Sequence, residues 1–517
     1  MYKKAILFFA ILFLIRILFL IFSPLELSPD EAYYWDWSRR LDLCYYSKPP
    51  MVAWLIWLST SFLGATEIGV RFPAVLLGVG TAFFLFLFGK KICGIKAGLL
   101  SAILYSSTIG AALLSYIMTI DAPLLFFWCG AMYLFWMGVE NAILNKKATF
   151  KLFIISGIFA GLGLLSKQTM VAFTIMTLFF LILLKNKRLF FNFKHWNSFL
   201  FPQFLCLIPP LYWNYRHNWI TFSHTAHHFE QGEKTAFNLT LKFNTFFELL
   251  GSQIGIITPI IFLVLLSFSF CILLLEIKNF ISKQPINKDR LLSNYLVFIG
   301  VLPLLGVFLL SFKQRINANW PAPFYLSMTM LAVFCYFNIF ECKGTYFNKI
   351  KKLLPYGSIL GVLLVSLLYL LPFVLDNLGI LGKKIDPTVR LRGWKTLALE
   401  VDEILDDLSL RGKAFVVARR RQTVSELAFY LKGQPIVYRW NGKNGKIKSQ
   451  YELWEGPFPH FKGKDGLIIF DAKKDLKGLD SCFKEFSFLK EIKIPLGSGR
   501  FRAFKVYLGK SLISWKE

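Results

Sequence analysis

The chain is short of acid. Its 517 residues include 31 Asp and Glu against 59 Lys and Arg, and only 17% of the residues are charged at all. It has no Cys-x-x-Cys pair of the metal-binding kind, no glycine-rich phosphate fingerprint and no nucleophile elbow, and neither an internal repeat nor a low-complexity segment. Those absences set aside a zinc module, a nucleotide-binding α/β enzyme, a serine hydrolase and a solenoid. The eight cysteines show no paired spacing. Cys93, Cys129, Cys206, Cys271 and Cys335 lie in or beside apolar runs and read as packing residues.

What is abundant is apolar surface: 55% hydrophobic residues and a mean hydropathy of +0.52. Apolar runs of about 20 residues, long enough to cross a bilayer, recur through the first three-quarters of the chain. The pattern predicts eleven spans, at roughly 5–23, 70–89, 97–117, 122–139, 152–166, 169–184, 197–213, 246–275, 291–312, 320–340 and 353–375. Met51 to Leu63 is apolar but too short to cross, and is expected to form a re-entrant or interfacial helix. A formal net charge of +28 would suit nucleic acid, but the cations sit in short bridges between apolar runs. The expected partner is therefore the bilayer, with no nucleic acid. Alternate loops carry the excess of Lys and Arg: residues 3–4, 90–96, 146–151, 185–194, 278–290 and 343–352. These should face the cytoplasm, with the opposite loops and the tail outside. The Lys3-Lys4 pair precedes a long apolar run without a small-residue cleavage site, so an uncleaved anchor is expected.

From Asp376 the composition changes to charged and glycine-punctuated. A helix is expected over Glu400–Leu410, with strands at Ala414–Ala418, Pro435–Arg439, Gly466–Phe470 and Arg502–Leu508. The expectation is an integral membrane α-helical domain over 1–375 followed by an extracytoplasmic α/β domain over 376–517.

The outer loops hold polar groups that a lipid-embedded protein keeps only for a reason. The first loop, Ser28 to Pro50, packs Asp30, Glu31, Tyr33, Tyr34, Lys48 and further aromatics into one short stretch. Asp121 lies at the outer end of the third span, Lys167 between two short spans, Arg216 and His217 in NYRHNW, and Arg315 and Asn319 in FKQRINANWPAP. Carboxylates and cations on one face suit transfer of a group away from a lipid phosphate. Cations hold phosphate oxygens and stabilise the departing charge. A carboxylate takes the acceptor's proton as general base. Each residue alone also admits a plainer role: Asp30 as a helix cap, Glu31 in an ion pair, Lys167 reaching to headgroups, the aromatics as an interfacial belt. His224, His227 and His228 have the i, i+3, i+4 spacing that would admit a divalent metal, as would a merely polar interfacial helix.

The ordered set of Asp30-Glu31, aromatics and Lys48-Pro49, then GVRFP at 69–73 and DAPL at 121–124, resembles glycosyltransferase family 39 of the GT-C membrane superfamily. That family groups bacterial polyprenyl-phosphate-sugar transferases with protein O-mannosyltransferases and is related to the lipid A aminoarabinose transferase. LLSK at 164–167, WNYRHNW at 213–219 and ANWPAP at 318–323 are similar to bacterial members, and weaker similarity continues at 386–394 and 426–435. The resemblance implies an inverting transfer, at the outer face of the inner membrane, from a polyprenyl-phosphate-linked sugar to an extracytoplasmic acceptor. It implies Asp30 as catalytic carboxylate, Asp121 as a second acidic site residue and Lys48 as a phosphate contact. Relatives in the aminoarabinose branch carry Glu where this chain has Ser47. The rival reading, a lipid or solute transporter or flippase with the charged loops as gates, calls for paired broken spans or a duplicated half, and the sequence shows neither.

Overall fold

The computed structural model describes the whole chain except residues 145–148, 184–192, 231–238, 339–344, 443–446, 473–475, 477 and 516–517, and the side chains of 183, 193, 227–230, 239–242 and 345–346. The chain divides into two compact units. The first comprises Met1–Leu20, Lys48–Val52 and Phe72–Tyr369; the second comprises Ile21–Ser47, Ala53–Arg71 and Leu370–Glu517. The first loop thus belongs, for the most part, to the same unit as the tail.

The first unit is a bundle of apolar helices, and the protein is a multi-pass membrane protein. Among the described residues seven helices are long and apolar enough to cross a bilayer: Tyr2–Phe22, Glu67–Cys93, Asp121–Ile143, Thr149–Ser166, Pro259–Ile281, Lys288–Ser311 and Phe347–Val374. Shorter apolar helices are Met51–Leu63, Ile95–Ser106, Met170–Ile182 and Ala322–Phe337. Phe193–Arg216 is helical through three prolines. Two expected spans are interrupted. The run 97–117 stops at Ser107, whose carbonyl is approached closely by Gly361, and resumes as Ile109–Leu114. The run 246–275 is two helices, Leu239–Ile257 and Pro259–Ile281, hinged at Thr258 with φ of 71°. Proline at the first position of the second helix forbids continuation of the first ladder.

Small residues set the helix spacing, as is usual where lipid supplies no hydrophobic drive between helices. A Cβ on Gly157 would lie 2.3 Å from the Phe199 carbonyl oxygen, so Thr149–Ser166 and Phe193–Arg216 meet backbone to side. The centre is aromatic: Trp128, Phe135, Trp136, Phe153, Phe173 and Tyr295 are fully buried. The Tyr295 hydroxyl donates to the Met132 carbonyl at 2.9 Å. Glu140 takes Lys91 at 2.9 Å and Lys288 at 2.5 Å, and Glu276 takes Arg290 at 3.2 Å. All three cations come from loops expected to face the cytoplasm.

The second unit contains a five-stranded sheet in the order β2-β1-β3-β5-β4, with β1 Phe415–Ala418, β2 Val437–Arg439, β3 Gly466–Asp471, β4 Phe483–Gly497 and β5 Arg500–Leu512. β1 runs parallel to β2 and β3, while β5 is antiparallel to β3 and β4. Four of these strands fall on the expected runs. β4 does not, because most of its first two-thirds is exposed, its apolar residues do not alternate with polar ones, and the register shifts between Phe488 and Lys490. The β4–β5 hairpin turns through Gly497, Ser498 and Gly499, all at positive φ. Helix Trp394–Asp407 starts earlier than expected because Gly393, in the left-handed region, lets the Glu26 carboxylate accept the Trp394 N–H at 2.6 Å. A further helix, Arg421–Tyr430, makes the β1-to-β2 crossover.

Candidate active site

In the second unit, the first loop folds at Ser28-Pro29 into helix Pro29–Ser38. The cap is Ser28, whose hydroxyl accepts from the Glu31 N–H at 3.3 Å while the Glu31 carboxylate accepts the Ser28 N–H at 2.9 Å. This capping box turns Glu31 inward. There Arg71 donates from Nε to Oε1 at 2.8 Å and from Nη2 to Oε2 at 2.9 Å, and also binds the Leu25 and Glu26 carbonyls. Glu31 is 0% exposed. Expected as a substrate contact, it has both oxygens committed to the fold. Asp30, expected as a catalytic carboxylate and weighed above as a helix cap, does not cap. It points outward, 57% exposed, and Arg421 of helix Arg421–Tyr430 donates to its Oδ1 at 2.8 Å.

Tyr33 and Tyr34, expected to offer faces to a substrate, are buried. Tyr33 packs on Trp37 and Tyr451, and its hydroxyl accepts the Gln450 N–H at 2.6 Å. Trp37 stacks on Tyr45 at 4.3 Å. The loop aromatics are core of the second unit, joining loop to tail. Burial raises the Tyr33 phenol above its ordinary range. The same unit buries an acid that no motif announces. Glu426 is 1% exposed, neither oxygen has a hydrogen-bond partner, and Glu26, Glu31, Arg71 and Arg502 are its charged neighbours. Desolvation, then Glu26 and Glu31, hold its carboxyl well above the usual carboxylate range.

In the first unit, three expected site residues from distant segments meet. Asp121 opens helix Asp121–Ile143, where the helix dipole favours a carboxylate. Lys167, just past helix Thr149–Ser166, donates to its Oδ1 at 2.7 Å, and Asn319 donates to its Oδ2 at 2.7 Å. Asp121 and Lys167 are both buried. Both Asp121 oxygens are thus engaged, one by a lysine and one by an amide. The Gln253 side chain supports the Asn319 loop by donating to the Ala318 carbonyl at 3.1 Å.

His217 stacks on Trp213 at 3.8 Å with Nδ1 2.8 Å from its carbonyl oxygen, in a turn where Asn218 and Trp219 have positive φ. Arg216 is exposed and Lys48 half-buried. Arg315 forms an exposed pair with Glu248. His224 is half-buried, while the side chains of His227 and His228 lie outside the described residues. Among the described residues no three His, Cys, Asp or Glu groups gather as a metal would require. Arg421 and Glu426 were not singled out in the sequence, and Arg71 appeared there only within GVRFP at 69–73, since each has its partner some 40 to 400 positions away.

A family model described as dolichyl-phosphate-mannose-protein mannosyltransferase matches residues 47–213. The chain is 28% identical over 322 residues to lipid A galacturonosyltransferase RgtD of Rhizobium johnstonii, covering 62% of each chain. It is 29% identical over 153 residues to an undecaprenyl phosphate-alpha-4-amino-4-deoxy-L-arabinose arabinosyl transferase of Wigglesworthia glossinidia brevipalpis, covering 27% of each. The chain thus spans less than two thirds of the length of these curated relatives. Crystal structures of ArnT from Cupriavidus metallidurans, in the apo state and bound to undecaprenyl phosphate, each align over 98% of both chains with a TM-score of 0.61 and 12% identity. At that identity the likeness is one of fold. The chain thus shares its fold with the ArnT structures, and its sequence matches are to glycosyltransferases.

Proposed function

We propose that the chain is a membrane glycosyltransferase that moves a sugar from a polyprenyl-phosphate donor to an acceptor outside the cytoplasm, with inversion at the anomeric carbon. The acceptor's oxygen attacks that carbon as its bond to the phosphate breaks, and the polyprenyl phosphate leaves with the electron pair. Asp30 takes the proton of an acceptor hydroxyl. For an acceptor that is already an anion, Asp30 instead stabilises the positive charge that develops on the sugar ring. Lys48, with Arg216 or Arg315, holds the phosphate. Asp121 orients Lys167 and Asn319. Residues 1–375 form the catalytic membrane domain and 376–517 a periplasmic domain, in a bacterial inner membrane with the N-terminus cytoplasmic. The cationic loops, including Lys91, Lys288 and Arg290, support that orientation.

The observation that carries this reading is the separation of roles within the Asp-Glu pair. In a chain whose relatives are named as lipid A and lipid-phosphate-sugar transferases, Glu31 is locked inward and Asp30 alone faces outward. A lipid A glycolipid is the first acceptor to test. Lipid extracts of cells with and without the gene, compared by mass, should differ by one sugar on one lipid class. Asp30→Asn should abolish that difference while the purified protein still binds undecaprenyl phosphate. Product formed at the wild-type rate would sink the proposal. Lys48→Ala should weaken undecaprenyl phosphate binding, and unchanged affinity would remove Lys48 from the phosphate site.

A further inference from the structure

Asp30 sits in the first turn of a helix with nothing from its own loop to fix its side chain. Ser28 and Glu31 complete the cap between themselves. An exposed aspartate so placed would sample several rotamers. Here one oxygen, Oδ1, is clamped at 2.8 Å by Arg421, which lies 391 positions further along the chain. The guanidinium is itself held: its carbon lies 4.6 Å from the Tyr33 ring centroid, in cation–π geometry. Tyr33 is pinned in turn by the Gln450 N–H at 2.6 Å, and Ser425, one turn on from Arg421, donates to the Pro29 carbonyl at 3.2 Å. Every link in this chain of contacts lies within the second unit. The result is a carboxylate with one oxygen fixed and the other, Oδ2, presented in a set direction.

We infer that Arg421 is a positioning residue for the transfer, acting through Asp30, so that the tail supplies part of the catalytic loop. The inference rests on the reading of Asp30 as the catalytic carboxylate. A half-exposed ion pair contributes little to stability, so conservation of fold does not account for the arrangement. Holding a reacting group in its productive geometry, by contrast, strongly affects rate.

The test uses the full-length protein in detergent or nanodiscs, with the sugar lipid and acceptor identified by the mass comparison above, and undecaprenyl phosphate as the binding probe. Arg421→Gln should lower kcat about 10- to 100-fold, as misplacement of a reacting group does. Its undecaprenyl phosphate affinity and thermal midpoint should stay near wild type. Arg421→Lys should recover part of the rate. Arg421→Ala should regain activity with added guanidinium or ethylguanidinium, which a purely structural role would not allow. Wild-type kcat in Arg421→Gln, with Asp30→Asn inactive, overturns this inference and leaves the function standing. Activity in Asp30→Asn overturns the function itself. If Arg421→Gln fails to fold, Arg421→Lys decides the matter: it keeps the charge but not the fork, so it should be slower than wild type, and a wild-type kcat overturns the inference.

Discussion

At the scale of single residues, ion pairs with different surroundings should answer substitution differently. Asp121 and Lys167 are a buried pair. Lys167→Ala strands a carboxylate away from water and should cost about 3–5 kcal/mol in detergent unfolding. Pairing it with Asp121→Asn should restore part of that loss, and strictly additive costs would show that the two do not act together. Glu426 makes the sharper case. Its carboxyl binds a proton more tightly in the folded protein than the ordinary value of 4.5. Its favourable contribution is therefore complete below that value and is lost as pH rises toward the folded one. Glu426→Gln, which keeps the neutral form, should gain on wild type by about 1.4 kcal/mol per pH unit across that window. Thermal midpoints of both proteins at pH 5, 6.5 and 8 check it, and a constant gap would mean that Glu426 is ionised throughout. The sequence showed Asp121, Lys167 and Asn319 because each is a polar residue at the end of an apolar run. It hid Glu426, whose neighbours are ordinary tail residues until the fold buries it.

At the scale of elements, membrane helices were readable because length and hydropathy fix them locally. Their interruptions carry only short marks, Ser106-Ser107-Thr108 and Thr258-Pro259, inside longer apolar runs whose hydropathy continues across them. The helix contact at Gly157 was silent in the sequence. Gly157→Leu would drive a side chain into the Phe199 carbonyl and should cost about 1–3 kcal/mol or more by overpacking. Gly306→Ala, with open space around it, is the control and should be neutral or stabilising, by up to about 1 kcal/mol from helix propensity. Thermal unfolding of both in one detergent separates the effects, and equal midpoints would show that the two helices can part without loss. In the tail, β1, β2, β3 and β5 were legible from buried β-branched and aromatic residues. β4 escaped because an edge strand need not look apolar.

At the scale of the whole molecule, packing divides the chain at Tyr369, close to the boundary that composition draws near residue 375, and also gives the tail's unit most of the first loop. Residues 21–47 and 53–71 cluster with the tail, a division set by contacts such as those of Tyr33 with Gln450 and of Arg39, whose Nη1 reaches the Gln434 carbonyl. No local pattern encodes these. The proposed orientation can be checked directly. Glu455 is exposed on the tail, so Glu455→Cys should react with a membrane-impermeant maleimide in intact spheroplasts. Labelling only after the membrane is opened would reverse the topology.

Arg71 carries a last consequence. Its Nε, Nη1 and Nη2 donate to Glu31 and to the Leu25 and Glu26 carbonyls, and 1% of its side chain meets solvent. Its donors are thus taken up by the fold and are not offered to phospholipid headgroups or to a substrate phosphate. Glu31→Gln would leave that guanidinium buried beside a neutral partner, so a substitution chosen to probe chemistry would also destabilise the fold, by about 3–5 kcal/mol.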